Sequence, residues 1–159
     1  MSIFVNVSSG VAPKTDSVRK ISLLFAGILV VMAVAQLFTY EDFPSLIKSF
    51  LLPTGDRFAY LLAALIVSFE VFAVPFLLGM SVSPLMRWLS MICSWAAAGI
   101  WIFISLWLNF TNGIVTSAGL LGATVKLPSG WWTVFFSLAL GVLAIWASWG
   151  MWPGHPKKK

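Results

Sequence analysis

The chain has 159 residues, 60% of them hydrophobic and only 9% charged, with a formal net charge of +5. A water-soluble domain of this size has too little interior to hide that much apolar surface, so the composition excludes a soluble globular protein and points to a lipid bilayer as solvent. Its basic residues form no patch beyond the ends of the apolar stretches, so nucleic-acid binding is not expected.

The first 20 residues, MSIFVNVSSGVAPKTDSVRK, are mixed and rich in serine. They have no basic cluster ahead of a short apolar run, so the span that follows does not read as a cleaved signal peptide and is expected to stay in the mature chain. Apolar stretches then occur at 21–39, 58–80, 88–109 and 131–151. Each reaches the ~20 residues that a helix rising ~1.5 Å per residue needs to cross ~30 Å of hydrocarbon. The pattern predicts an all-α integral membrane four-helix bundle over residues 21–151, preceded by a cytoplasmic tail at 1–20 and followed by a basic cytoplasmic tail at 152–159.

The connection after the first span reads EDFPSLIKSFLLPTGDR. Phe43, Leu46, Ile47, Phe50 and Leu51 recur at helical spacing, with Ser45, Lys48 and Ser49 opposite, which predicts a short amphipathic helix. Glu41 and Asp42 suit its N-terminus, Pro44 its first turn, and Pro53-Thr54-Gly55 its stop. An interfacial helix of this kind anchors the bundle at the outer surface, or serves as a lid or docking surface.

The second span contains AALIVSFEVFAVPFLL, an apolar run with Glu70 in its middle and Pro75 just over a turn later. Counted from Phe58, Glu70 lies ~18 Å deep, near the bilayer centre, where an unpaired charge costs at least ~2.5 kcal/mol. It is expected to face the bundle and to be protonated or hydrogen-bonded. The same count from Asn109 places Ser94, with Cys93 and Trp95, at ~20 Å on the third span. Ser94 is therefore the expected partner, with Gln36 and Tyr40 nearer the outer surface as the mouth of a polar cleft. Pro75 lacks an amide donor and displaces the carbonyl of Val71, so a kink is expected beside the acid.

Nine tryptophans mark the spans. Trp131 and Trp132 open the fourth, Trp146, Trp149 and Trp152 close it, and Trp88 and Trp107 flank the third, the positions of aromatic belts. Trp95 and Trp101 lie deeper, where an indole N–H needs a partner; helix packing is the favoured reading over quinone or pigment stacking. His155 is the one histidine and sits in the tail, so a buried imidazole ligand for haem is not available within this chain. Cys93 is the one cysteine, which leaves no internal disulfide, no CxxC pair and no thiolate metal site. With no buried histidine and no second membrane carboxylate, no catalytic constellation is expected and an enzymatic role is disfavoured. The pattern Asn-x-Ser/Thr at Asn6 and Asn109 reads as coincidence in both places.

Basic residues set the orientation. Lys14, Arg19, Lys20, Arg87 and Lys157 to Lys159 fall on one side and Lys48, Arg57 and Lys126 on the other, and a bias of seven to three places both termini in the cytoplasm, as in a bacterial inner membrane. A basic rim also offers a contact for anionic lipid. The third connection, TNGIVTSAGLLGATVKLPSG, has little charge and several small residues, which suits a loop packed on protein.

A first span ending AQLFTYEDF, a surface helix ending FLLP, a second span with SFEVFAVPFLLG and two further spans together resemble the small four-helix membrane proteins of the DoxX and MauE type, over roughly residues 20–150. The best single match is Glu70 ahead of Leu77-Leu78-Gly79. Proteins of that group are associated with quinone-linked sulfur oxidation, with maturation of periplasmic redox enzymes or with no known activity, and the resemblance implies the same range. Some related sequences carry a Cys-Gly-Cys-Phe-Gly loop before the last helix; here the stretch reads Ser117-Ala118-Gly119-Leu120-Leu121-Gly122, so a disulfide-handling role is not implied. The expected function is a non-catalytic accessory subunit of a larger membrane complex, electron-transferring or quinone-linked. The alternative is an autonomous binder of a small apolar molecule such as a quinone, with Glu70 and Ser94 as polar anchors. No intrinsic cofactor is expected, a quinone or a bound lipid being the candidate ligand. A transporter is disfavoured by the absence of an internal repeat.

Overall fold

The computed structural model describes residues 13–50, 56–111, 117–123, 125 and 127–152. Leu51, Lys126, His155, the Asn6 motif and most of both tails lie outside the described residues. Among the described residues there are five helices, α1 (Asp16–Phe38), α2 (Phe43–Ser49), α3 (Asp56–Leu77), α4 (Pro84–Phe110) and α5 (Trp131–Gly150). Four of them are long and apolar enough to cross a membrane, and α2 is the short helix between the first two. The protein is an integral membrane four-helix bundle.

Local chemistry sets the helix ends more widely than hydropathy does. Residues 16–20, read from sequence as tail, belong to α1, because the Thr15 side chain accepts from the Val18 amide at 3.3 Å and Asp16 complements the first turn. Ser83 likewise caps α4, accepting from the Met86 amide at 3.3 Å ahead of Pro84, so α4 begins four residues before the apolar stretch at 88. The second span stops at Leu77 rather than 80. Gly79 takes φ 64°, and the Met80 and Gly79 amides donate back to the carbonyls of Pro75 and Phe76 at 3.0 Å each, a left-handed helix end that glycine adopts without strain.

The helices pack around small and apolar side chains: Phe25, Leu29 and Met32 of α1, Ala63, Ile66 and Ala73 of α3, Ala97, Ala98 and Ile104 of α4, and Leu140, Ala144 and Ala147 of α5. Alanines at these positions let the helices approach closely, the means by which spans associate where lipid is as apolar as leucine. The opposite faces expose leucine, valine, phenylalanine and tryptophan, as lipid contact requires. At one end of the bundle the start of α1 meets the end of α5. The Lys14 amide donates to the Gly150 carbonyl at 3.2 Å, and Gly150 leaves no room for a Cβ against Val18.

Pro75 interrupts α3 in its last turns, and α4 repairs the break. The Phe76 amide donates to Ser90 Oγ at 3.0 Å, and the same hydroxyl donates to the Phe72 carbonyl. These are the two groups an unbroken helix would join directly, so a side chain from the neighbouring span is inserted into the ladder.

At the other end α2 and the segment 117–123 close over the bundle. Phe43, Pro44, Ile47 and Phe50 of the α2 segment are buried, Leu46 is half-buried, and Ser45 and Ser49 face outward, the amphipathic division that the spacing predicts. Trp107 Nε1 donates to the Phe50 carbonyl at 3.1 Å. Over α2 lies the segment 117–123, where a Cβ on Gly119 (φ 77°) would stand 3.1 Å from the Phe50 ring and one on Gly122 (φ 67°) would stand 2.7 Å from the Ala35 carbonyl oxygen. The Ala123 amide donates to Thr39 Oγ1 at 3.0 Å. The segment 117–123 of the third connection is thus packed on protein, and the protein it packs on is its own α1 and α2.

Candidate functional site

The polar centre of the bundle is built from three helices. Glu70 of α3, Gln36 of α1 and Trp101 of α4 are each fully buried, at 0% exposure. Trp101 Nε1 donates to Glu70 Oε1 at 2.8 Å, and Gln36 Nε2 donates to the same oxygen at 3.2 Å. Gln36 Nε2 also donates to the Leu120 carbonyl at 3.3 Å, which ties the centre to the 117–123 segment. Among the described residues, Glu70 Oε2 and Gln36 Oε1 have no hydrogen-bond partner.

Two expectations are corrected here. Ser94 is buried but donates to the Met91 carbonyl of its own helix at 2.7 Å and does not meet Glu70. Depth counted along Cα atoms ignores the direction of side chains, which lean toward the N-terminus of their own helix. α3 and α4 run antiparallel, so Glu70 leans toward the α2 end of the bundle and Trp101 leans away from it. By count Trp101 lies only ~12 Å from Asn109, near the end of α4, about 6 Å short of Glu70, a gap that a long indole spans and a serine hydroxyl cannot. Gln36, expected at the mouth of a cleft, is sealed beside the acid, while Tyr40, the other residue expected there, is 42% exposed.

The position of Gln36 has a further geometric result. It stands two residues from the end of α1, whereas α3 runs 14 residues outward from Glu70 to Asp56. On that side α3 therefore outruns α1 by roughly 10 Å or more, about the diameter of a helix. α2 and the 117–123 segment fill that step, and the Leu120 carbonyl reaches the Gln36 amide through it.

Four further polar contacts, none anticipated from the sequence, hold α4 at the centre of the assembly. Ser90 joins it to α3, the Ser105 and Ser137 hydroxyls share a 2.7 Å bond to α5, and Trp95 Nε1 donates to Ser148 Oγ at 2.6 Å. Asn109 Nδ2 donates to the carbonyls of Ser105 and Gly130, at 3.0 and 3.1 Å. Trp95 itself is 48% exposed, so its ring faces outward while its N–H is satisfied inside. Serine within an apolar helix carries little sequence signal; its spacing against another helix is what gives it a partner.

Chemically, the centre presents a carboxyl group that receives two donors on one oxygen, enclosed by aromatic and aliphatic side chains. It links helices, and its remaining oxygen, like the remaining oxygen of Gln36, has capacity for a further donor. Set against protein-family models, curated proteins and solved structures, the chain matches none.

Proposed function

We propose that this chain is a non-catalytic accessory subunit of a larger membrane complex, electron-transferring or quinone-linked as its resemblance to DoxX-type proteins implies. The observation that carries the reading is the full enclosure of Glu70, whose carboxyl group joins α1, α3, α4 and, through Gln36, the 117–123 segment. With its membrane acid engaged internally, the chain offers its surroundings broad apolar and tryptophan-rich helix faces. Both termini lie on the cytoplasmic side of a bacterial inner membrane in this reading, following the basic bias of the connections. The apolar segment 117–123 does not itself argue for a partner, since α1 and α2 account for its packing. Purification in mild detergent tests the proposal: a stable heteromeric assembly is expected, and a chain recovered only as monomer or homodimer would defeat it.

One observation favours a second reading, an autonomous binder of a quinone or similar apolar molecule. Glu70 Oε2 and Gln36 Oε1 are buried oxygens without a partner, and a hydroxyl of the reduced, quinol form of such a ligand would donate to one of them. Occupancy would require the Leu120 segment to move aside. A monomer that retains stoichiometric quinone, and loses it on Glu70→Gln, is the outcome that selects this reading.

A further inference from the structure

The C-terminal half of α5 carries a shallow apolar groove of about 260 Å³ on its outward face, lined by Val142, Ile145, Trp146 and Trp149. Its residues are among the most exposed apolar side chains of the helix, Trp149 at 69% and Val142 at 58%. From Val142 to Trp149 the groove runs ~10 Å along the axis. It ends one residue before the helix does, so it occupies the part of one leaflet, ~15 Å deep in hydrocarbon, that lies nearest the headgroups.

A cation stands at its polar end. Lys14 Nζ sits over the Trp149 ring, 5.5 Å from the centroid, and the Lys14 amide is held by the Gly150 carbonyl at 3.2 Å. The lysine stem is thereby fixed at the end of α5, with its ammonium at the headgroup level and its neighbouring ring forming the groove wall. The apolar groove therefore ends beside a cation, the order in which an acyl chain ends at its phosphate.

We infer that this groove seats one acyl chain of an anionic phospholipid whose phosphate pairs with Lys14. A zwitterionic headgroup would present its own cation to the ammonium and lose that preference. A basic side chain at the membrane surface changes anionic-lipid binding by about fivefold. The inference stands apart from the accessory-subunit reading, since it concerns lipid on the isolated chain and not a protein partner.

The test is titration of the detergent-solubilised full chain with phosphatidylglycerol or phosphatidylcholine of identical acyl chains, with bound lipid counted by native mass spectrometry. The parent chain is expected to retain one phosphatidylglycerol at several-fold lower concentration than phosphatidylcholine. Equal retention would overturn the inference without any variant. Lys14→Gln is expected to weaken phosphatidylglycerol about fivefold while leaving phosphatidylcholine unchanged, and Lys14→Arg to restore the preference. Val142→Trp, at a lipid-facing position, should fill the groove and weaken both lipids. Undiminished lipid binding in Val142→Trp, an unchanged preference in Lys14→Gln, or displacement of the lipid by inorganic phosphate alone would each count against it.

Discussion

Glu70 is the residue on which the interior turns. Trp101 and Gln36 direct two N–H donors at one of its oxygens, so the informative substitutions are those that keep or remove acceptors. Glu70→Gln keeps the shape of the side chain and a carbonyl oxygen for both donors, so thermal unfolding in detergent should shift little. Glu70→Leu leaves two buried N–H groups without an acceptor, and a loss of about 1–3 kcal/mol is expected in the same measurement. If both variants unfold alike, the acid does not serve as an acceptor for its neighbours. Trp101→Phe removes the shorter bond and leaves a small void where the indole stood, so it too should destabilise, by a comparable amount. That Glu70 faces the interior was legible, because a carboxyl group in an unbroken apolar run has nowhere else to go. Its partners were not. Partner choice depends on how far a side chain reaches and which way its helix runs, and counting residues from the helix ends captures neither.

Among the elements, α3 and α4 depend on each other most directly. Ser90 completes the ladder of α3 on both sides of the break near Pro75. Ser90→Ala should leave the Phe76 amide unsatisfied and cost about 1–3 kcal/mol. In a Pro75→Ala background the helix can close its own bond from Phe76 to Phe72, so the added cost of Ser90→Ala should shrink; a double-mutant cycle by thermal unfolding measures that coupling, and strict additivity would show that the hydroxyl does not stand in for the ladder. Gly122→Ala places a methyl group against the Ala35 carbonyl at a positive φ, and limited proteolysis of the third connection should accelerate. The four spans and α2 were visible in the sequence because periodicity and length report burial and bilayer thickness. The packing of the third connection was visible only as low charge. Its actual seat, on α1 and α2, rests on two glycines with positive φ that a sequence does not distinguish from ordinary loop glycines.

At the level of the whole molecule, four antiparallel spans bring the start of α1 and the end of α5 to one end, where Gly150 receives Val18. Gly150→Ala should separate them and lower stability without altering helix content by circular dichroism. The orientation of that end is best read at Ser45, which is exposed on α2; a cysteine there should react with an impermeant reagent from outside intact cells if the termini are cytoplasmic, and protection would reverse the orientation. Ser117 is unsuited to such labelling, because it is buried and a silent cysteine there would report packing rather than sidedness. One atom, finally, belongs to both the interior and the outer covering: Gln36 Nε2 divides its protons between Glu70 and Leu120. Whatever alters the acid, whether a proton, a substitution or a ligand, changes the donor left for the loop carbonyl, and by reciprocity whatever lifts the loop changes the donor left for the acid. Amide hydrogen exchange at 118–123 is therefore a remote gauge of events at Glu70, and faster exchange there in Glu70→Leu than in Glu70→Gln is the signature of that linkage.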